Sequence, residues 1–390
     1  MRGKNALFSA AVILLILGSP VFAYRQVIDL GTLGGTSSRA SSINDSGQIV
    51  GCATNSSGYK RACLFDSTGG GANTDLGTLG GSQSCAYSIN NNGKIVGYAI
   101  DNYGSTYACL FNSTGGGNNK NLGTLDSVPT SPTYGGGNYG SAYCINDNGY
   151  IVGQARKDVQ SGGSILSYLH ACSFDQTIPW SNYDLGFFVG TTSLAYSINN
   201  NNQIVGYDST SGFSRACLFG YPNGTHNIDL GTLGGHSSIA YSINDSDLIV
   251  GLVGYSTALP PSWYYHACLF DSSGGGDNID LGTLGGLSSV AYFVNSANQI
   301  VGYATDSSGQ QKACLFDSTG QGNNINLNTL IDPTSGWILK EASCINNNGW
   351  IVGYGTHNGI DQAFLLTPEP ASALIMAVGA VIAASRRRRK

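Results

Sequence analysis

The chain has 390 residues, among them 56 Gly and 22 Tyr, and only 11% are charged, the profile of a β-rich, loop-rich protein. With the basic residues of its two ends set aside, residues 24–384 hold 11 basic groups against 23 acidic ones. A body this acidic excludes the electrostatic footprint of a nucleic-acid binder.

Residues 1–23 open with Arg2 and Lys4, continue through an apolar stretch around Ala11–Leu17 and finish on the small-residue pattern Val21-Phe22-Ala23. That is the pattern of a secretory signal peptide, and it predicts cleavage between Ala23 and Tyr24. The apolar run is short and interrupted by Ser19-Pro20, which argues against a lasting N-terminal membrane anchor.

A lone strand-like segment, Gln26–Gly31, comes next, and then a motif of the form Ala-Tyr-Ser-Ile-Asn-x-x-Gly-x-Ile-Val-Gly appears seven times. Its copies begin at Ala40, Ala86, Ala142, Ala195, Ala240, Ala291 and Ala342. Each copy predicts strand a (Ala-Tyr-Ser-Ile-Asn), strand b (Ile-Val-Gly-Tyr) and strand c (Ala-Cys-Leu-Phe), followed in six copies by strand d (Ile-Asp-Leu-Gly). All are short, rich in β-branched and aromatic residues, and bounded by Gly, Asn and Ser. Three residues after the closing Asn of strand a stand Gly47, Gly93, Gly149, Asn202, Asp247, Asn298 and Gly349. Only residues that tolerate a left-handed backbone occur there, which predicts a tight hairpin rather than a calcium loop, since Asn199–Asn202 carries no carboxylate.

Repeats of this length mark an array or a propeller. The order of strands decides between them. The chain begins with an unpartnered strand d and ends on a strand c, Ala363–Leu366, with no d after it. A ring uses that offset by pairing the first strand with the last triplet, which removes exposed sheet edges. The expected fold is therefore all-β, a seven-bladed β-propeller of four-stranded blades spanning 24–366, monomeric, and closed by its N-terminal strand.

The joints between strands vary unequally. The a–b and c–d joints keep their length throughout. The b–c joint lengthens to 17 residues in the third copy (Gln154–His170) and 15 in the fifth (Leu252–His266), and the d–a joint to 16 in the third (Asp126–Ser141) and 11 in the seventh (Ile331–Glu341). In an up-and-down blade b–c and d–a joints open on one face, so every insertion falls on the same side, the expected binding surface. The candidate ligand residues there are Tyr134, Tyr139, Tyr168, Trp263, Tyr264 and Tyr265, with Phe187 and Phe188 in place of Thr-Leu after the fourth strand d; Pro260 and Pro261 share the insertion. Tyr and Trp offer broad, rigid contact area with a polar handle.

Six cysteines share one repeat position: Cys63, Cys109, Cys172, Cys217, Cys268 and Cys314. Equivalent positions on neighbouring blades lie about 10 Å apart, too far for a bridge, so these six read as small buried side chains. Cys52, Cys85, Cys144 and Cys344 remain open. No cysteine or histidine spacing suits zinc. His170 and His266 occupy a position held elsewhere by Arg61, Tyr107, Arg215, Lys312 and Gln362, variety that suggests a solvent-facing site. The Asp of Asp-Leu-Gly gives way to Asn121 and Asn326, so a hydrogen-bonding role suffices for it. No catalytic residue, cofactor or metal is predicted. A carbohydrate-active enzyme, the rival reading, would have to draw on Asp126, Asp158, His170 and His266, which form no recognised pair.

Residues 367–390 contain Pro368-Glu369-Pro370, fourteen mostly apolar residues (371–384), Ser385 and five basic residues, Arg386–Lys390. The apolar run is short for a spanning helix, which takes about twenty residues, and the basic cluster would stay cytoplasmic. This arrangement resembles the PEP-CTERM sorting signal, which implies a short transmembrane helix, an exosortase-type protease as partner, and passage to the cell surface or exterior. Residues 26–366 resemble the HAF family of extracellular repeats. His170-Ala171 and His266-Ala267 keep the first two letters of His-Ala-Phe, and Ala363-Phe364 keeps the last two. That resemblance implies location and architecture and supplies no catalytic residues. Together these features predict an exported surface or matrix protein that binds exopolysaccharide or another surface component, with a ligand-free structural protein as a further alternative.

Overall fold

The computed structural model describes residues 24–125, 139–162, 164–177, 181–187, 190–210, 212–220, 226–256 and 263–368. The signal segment, the sorting segment from Glu369 onward and its expected helix, and Asp126, Tyr134, Phe188, Pro260 and Pro261 lie outside these residues. Among the described residues no helix is long and apolar enough to cross a membrane.

Seven four-stranded antiparallel sheets form a ring. Blade 1 runs Gly34–Ile43, Ile49–Asn55, Lys60–Phe65 and Thr74–Asp75, and blade 2 Gly80–Ile89, Ile95–Asp101, Thr106–Phe111 and Lys120–Asn121. Blade 3 comprises Gly140–Ile145, Ile151–Ser161, Ser164–Phe174 and Tyr183–Asp184, and blade 4 Thr192–Ile198, Ile204–Thr210, Phe213–Phe219 and Ile228–Asp229. Blade 5 follows with Ser237–Ile243, Ile249–Ser256, Trp263–Phe270 and Ile279–Gly282, and blade 6 with Gly285–Val294, Ile300–Asp306, Gln311–Phe316 and Ile325–Asn326. Blade 7 takes Trp337–Ile345, Ile351–His357 and Ile360–Pro368 from the end of the chain, and its fourth strand is Tyr24–Asp29. That strand pairs with the last one from Tyr24↔Pro368 to Asp29↔Phe364. The expected propeller and its closure by the N-terminal strand are both present.

The repeat motif encodes each blade's geometry. The Ala of strand a lies opposite the Gly of Ile-Val-Gly, as in Ala86↔Gly97, and the next residue is then skipped before pairing resumes at Ser88↔Val96. The same slip occurs in all seven blades. It is a β-bulge, which bends the strand and re-aims the unpaired side chain. The glycine is required by space rather than by φ. A Cβ on Gly51, Gly97, Gly153, Gly206, Gly251, Gly302 or Gly353 would sit 1.8 to 2.1 Å from a carbonyl oxygen of strand a.

The a–b turns follow the expected chemistry. Their closing residues have φ between +61° and +88°, non-glycine residues Asn202, Asp247 and Asn298 included. The Asn before each turn then ties the ring together. Asn44 donates through Nδ2 to the carbonyl of Asn90, Asn90 to Asn146, Asn146 to Asn199, Asn199 to Asn244, Asn244 to Asn295, Asn295 to Asn346, and Asn346 back to Asn44, at 2.9 to 3.1 Å. All seven side chains are buried, so each bond replaces a desolvated amide's water partner.

The core lies between blades. Val50, Ala62 and Leu76 of blade 1, for example, pack with Ala86, Ile95, Ala99, Cys109 and Phe111 of blade 2. The six repeat-position cysteines are fully buried free thiols in these interfaces, as expected of small apolar side chains. A serine near the start of strand a rivets neighbouring blades: Ser84 Oγ accepts from Ala62 N at 2.9 Å and donates to Gly77 O at 2.6 Å. Ser38, Ser193, Ser238 and Ser289 accept the equivalent bond. Cys52 of blade 1 and Cys85 of blade 2 form a disulfide with Cα atoms 5.0 Å apart.

Candidate ligand-binding site

The b–c insertion of blade 3 is paired structure rather than loose loop. Its strands stay in register residue for residue from Ile151↔Phe174 to Ser161↔Ser164, so it projects as a long hairpin. Val159, Ile165 and Leu166 near its end are exposed. Blade 5 extends in the same way as far as Ser256↔Trp263. Alternation along a strand sends Trp263 and Tyr265 to one side of that hairpin and Tyr264 and His266 to the other.

Around these two hairpins aromatic side chains gather into clusters. Phe187 stands edge-on to His170 at 5.3 Å between ring centroids, and Tyr168 lies 6.3 Å from His170. Phe213 of blade 4 approaches His236 at 6.2 Å, and His236 meets Trp263 of blade 5 at 6.4 Å. Tyr255 stacks on Tyr264 at 5.1 Å, and both rings stand edge-on to His266. Phe187, Phe213 and Trp263 remain 46 to 49% exposed. Exposed aromatics within one sector, blades 3 to 5, are what a contact surface requires. Of the predicted ligand residues, Tyr168, Phe187, Trp263 and Tyr264 thus fall into neighbouring clusters.

Tyr139 lies elsewhere, beside a row of tyrosines, and Tyr265 is exposed. The bulge residue of strand a is Tyr87, Tyr143, Tyr196, Tyr241 and Tyr292 in blades 2 to 6, and these rings touch in sequence at centroid distances of 5.1, 5.4, 4.8 and 5.4 Å. Tyr139 hydrogen-bonds Tyr143. Burial, then neighbouring phenols and, at Tyr292, Glu341, push the five phenols above their ordinary range, so all stay neutral at physiological pH. Blades 1 and 7 carry Ser41 and Ser343 at the bulge. In that sector stands a buried Glu341 whose Oε1 lies 3.4 Å from Arg39 Nη1, and the Arg39 guanidinium lies 3.7 Å over the Tyr354 ring. Sequence reasoning took the repeat tyrosine as a strand residue and passed over Arg39, Glu341, Phe213 and His236. The recurring Tyr two residues before Ile-Asn was the available signal for the axial ring.

The histidine position differs from its expected solvent-facing role. His170 is only 4% exposed and its Nδ1 lies 3.0 Å from Asp184 Oδ2; Lys157 joins the same carboxylate. His266 pairs with Asp280 at 2.7 Å, and Arg61 with Asp75 at 3.1 Å. The pairing is a within-blade clasp between strands c and d that histidine or arginine can serve. The Asp also accepts the amide two residues on, as in Gly186 N to Asp184 Oδ1 at 2.8 Å, a bond Asn121 makes equally to Gly123. Asp158 is tied to Arg156 and Ser167. Among the described residues no group of three or more His, Cys, Asp or Glu is placed to hold a metal.

Residues 225–367 match a family described as "Protein of unknown function (DUF3466)". The match covers blades 5 and 6, the three C-terminal strands of blade 7 and the last strand of blade 4, and it carries no activity with it. No curated protein matches the chain.

Proposed function

We propose that the protein is an exported, surface- or matrix-associated binding module that engages a polysaccharide through the elaborated face of the ring. The observation that carries this reading is the exposure of Phe187, Phe213 and Trp263 around two projecting hairpins in one sector. Flat apolar rings offer stacking area to the C–H faces of sugars, and the flanking His and Tyr groups supply hydrogen bonds. The burial of His170, which is 4% exposed, leaves its ring little access to a substrate and favours this reading over a carbohydrate-active enzyme. Export follows from the signal-like N-terminus, and transfer by an exosortase-type protease from the Pro-Glu-Pro tail.

The test is a triple alanine variant at Trp263, Tyr264 and Tyr265, assayed against an exopolysaccharide panel beside the unaltered chain. A loss of at least about tenfold in affinity, with the thermal melt within a few degrees of the parent, is expected. Unchanged affinity would sink the proposal.

A further inference from the structure

Cations are scarce in this acidic chain, and most of the described ones are paired with carboxylates. Arg61, Arg156, Lys157, Arg215, Lys312 and Lys340 each lie within 3.8 Å of a carboxylate. Lys94 and Lys120 reach Gln176, and Arg39 has Glu341. The Lys60 ammonium has neither a hydrogen-bond nor an ion-pair partner among the described residues.

The charge that bears on it is another cation, Arg39. Arg39 lies opposite Cys52 and Lys60 opposite Thr54, so both side chains leave the same face of the blade 1 sheet. They line a groove of about 240 Å³ at the seam of blades 7 and 1, with Ser37, Thr54, Tyr354 and Asp361. Asp361 is held by Lys340 at 2.8 Å and Glu341 by Arg39. Those two pairs cancel, which leaves Lys60 as one uncompensated positive charge. Lys60 is exposed at the groove wall, where desolvation and then the adjacent Arg39 hold its ammonium below the usual lysine range, a cost that an incoming anion would remove.

We infer that this seam groove is a second binding site, which takes the carboxylate of a sugar acid within a polysaccharide. Lys60 supplies a point charge, and the Arg39 guanidinium, fixed over Tyr354 and by Glu341, supplies N–H donors in a planar fork. The groove opens on the elaborated face, across the ring from the aromatic sector of blades 3 to 5. Residues 24–384 as a whole repel polyanions, with 23 acidic residues against 11 basic. The fitting ligand is therefore a chain with isolated carboxylates rather than a densely charged one. This inference rests on the polysaccharide reading above and specifies its chemistry.

The experiment compares an oligosaccharide carrying one glucuronate with its carboxyl-reduced counterpart, by calorimetry on the full chain. The parent should prefer the acidic sugar by about tenfold. Lys60→Gln should abolish that preference while still binding the reduced sugar, and Lys60→Arg should retain it. The triple alanine variant at Trp263–Tyr265 should weaken both sugars alike, so failure of the aromatic sector and failure of the groove are separable. Equal affinity of the parent for both sugars, or a preference that survives in Lys60→Gln, would overturn the inference.

Discussion

On one face of the ring seven asparagines close a circle of buried hydrogen bonds, and every turn has the same length. On the other face a paired hairpin of eleven residues per strand, an exposed tryptophan and the Arg39–Glu341 pair each belong to a single sector. The same repeat builds both faces. The constant face is where blades are registered against one another, so any departure breaks contacts on two sides. The elaborated face opens away from those contacts, and a blade can lengthen there without disturbing its neighbours. Tolerance to change therefore tracks the distance from the bulge and the asparagine circle rather than position in the sequence.

The largest effect belongs to the bulge. A Cβ on Gly206 would lie 1.8 Å from Leu194 O and 2.8 Å from Leu194 C, and both are backbone atoms that cannot rotate away. Gly206→Ala should lose more than about 4 kcal/mol, the range reserved for core disruption. Gly212, at the hairpin tip of the same blade, has φ +120° and open space around its Cβ position. Gly212→Ala should lose only about 1 kcal/mol from its backbone strain. Thermal melts of the two variants compare the regions within one blade, and similar losses would break the contrast.

The asparagine circle comes next. Asn146 is 5% exposed, donates to Asn199 O and Asn202 Oδ1, and accepts from Tyr150 N. Asn146→Ala strands those partners and should lose about 1–3 kcal/mol. Asn148 is exposed and donates to Asn200 O at 2.9 Å, and its alanine variant should stay within about 0.5 kcal/mol of the parent. Denaturant midpoints at matched slope would measure both. Equal losses would mean that the circle stabilises no more than a surface bond.

How much of this was legible in the sequence follows the same division. The ring, its closure by residues 24–29 and the side of the insertions could be read because each rests on the repeat's own order and spacing. The left-handed turn residue was legible because only Gly, Asn and Asp occupy it. The axial tyrosines were not, since a period-two reading of Ala-Tyr-Ser-Ile-Asn cannot reveal the extra residue that turns Tyr143 inward. The Cys52–Cys85 bridge joins two residues that occupy different repeat positions, and repeat alignment does not pair them. His170 was misplaced because variety at its position signalled solvent, whereas Arg61, Arg215 and His266 at that position keep the same kind of partner, the strand d carboxylate. Lys60 and Arg39 belong to no repeat pattern and meet only through the blade 1 sheet and the seam.

The smallest effects are in pH, and here two carboxylates on the elaborated side have opposite signs. Burial alone would raise the Asp184 carboxyl, but hydrogen bonds from His170, Lys157 and Gly186 N override it and hold it well below the usual range. A depressed folded pKa means that the unfolded state binds protons first. The stability Asp184 contributes is complete above its unfolded value, near 3.9, and is lost as pH falls through the folded one. Glu341 is the reverse. Burial raises it against the pull of Arg39, so the native state binds the proton first. Its contribution is complete below the unfolded value, near 4.3, and disappears as pH rises through the folded one. Relative to the parent, Asp184→Asn should therefore be least damaging in acid, and asparagine already serves that position at Asn121 and Asn326. The parent should gain on Glu341→Gln as pH is lowered from 7 toward 5. Melting temperatures of the three proteins across that range and down to pH 3 would decide it. Parallel profiles would show that neither carboxyl is held as its surroundings dictate, and the Arg39–Glu341 pair would then have to be treated as a solvated surface contact.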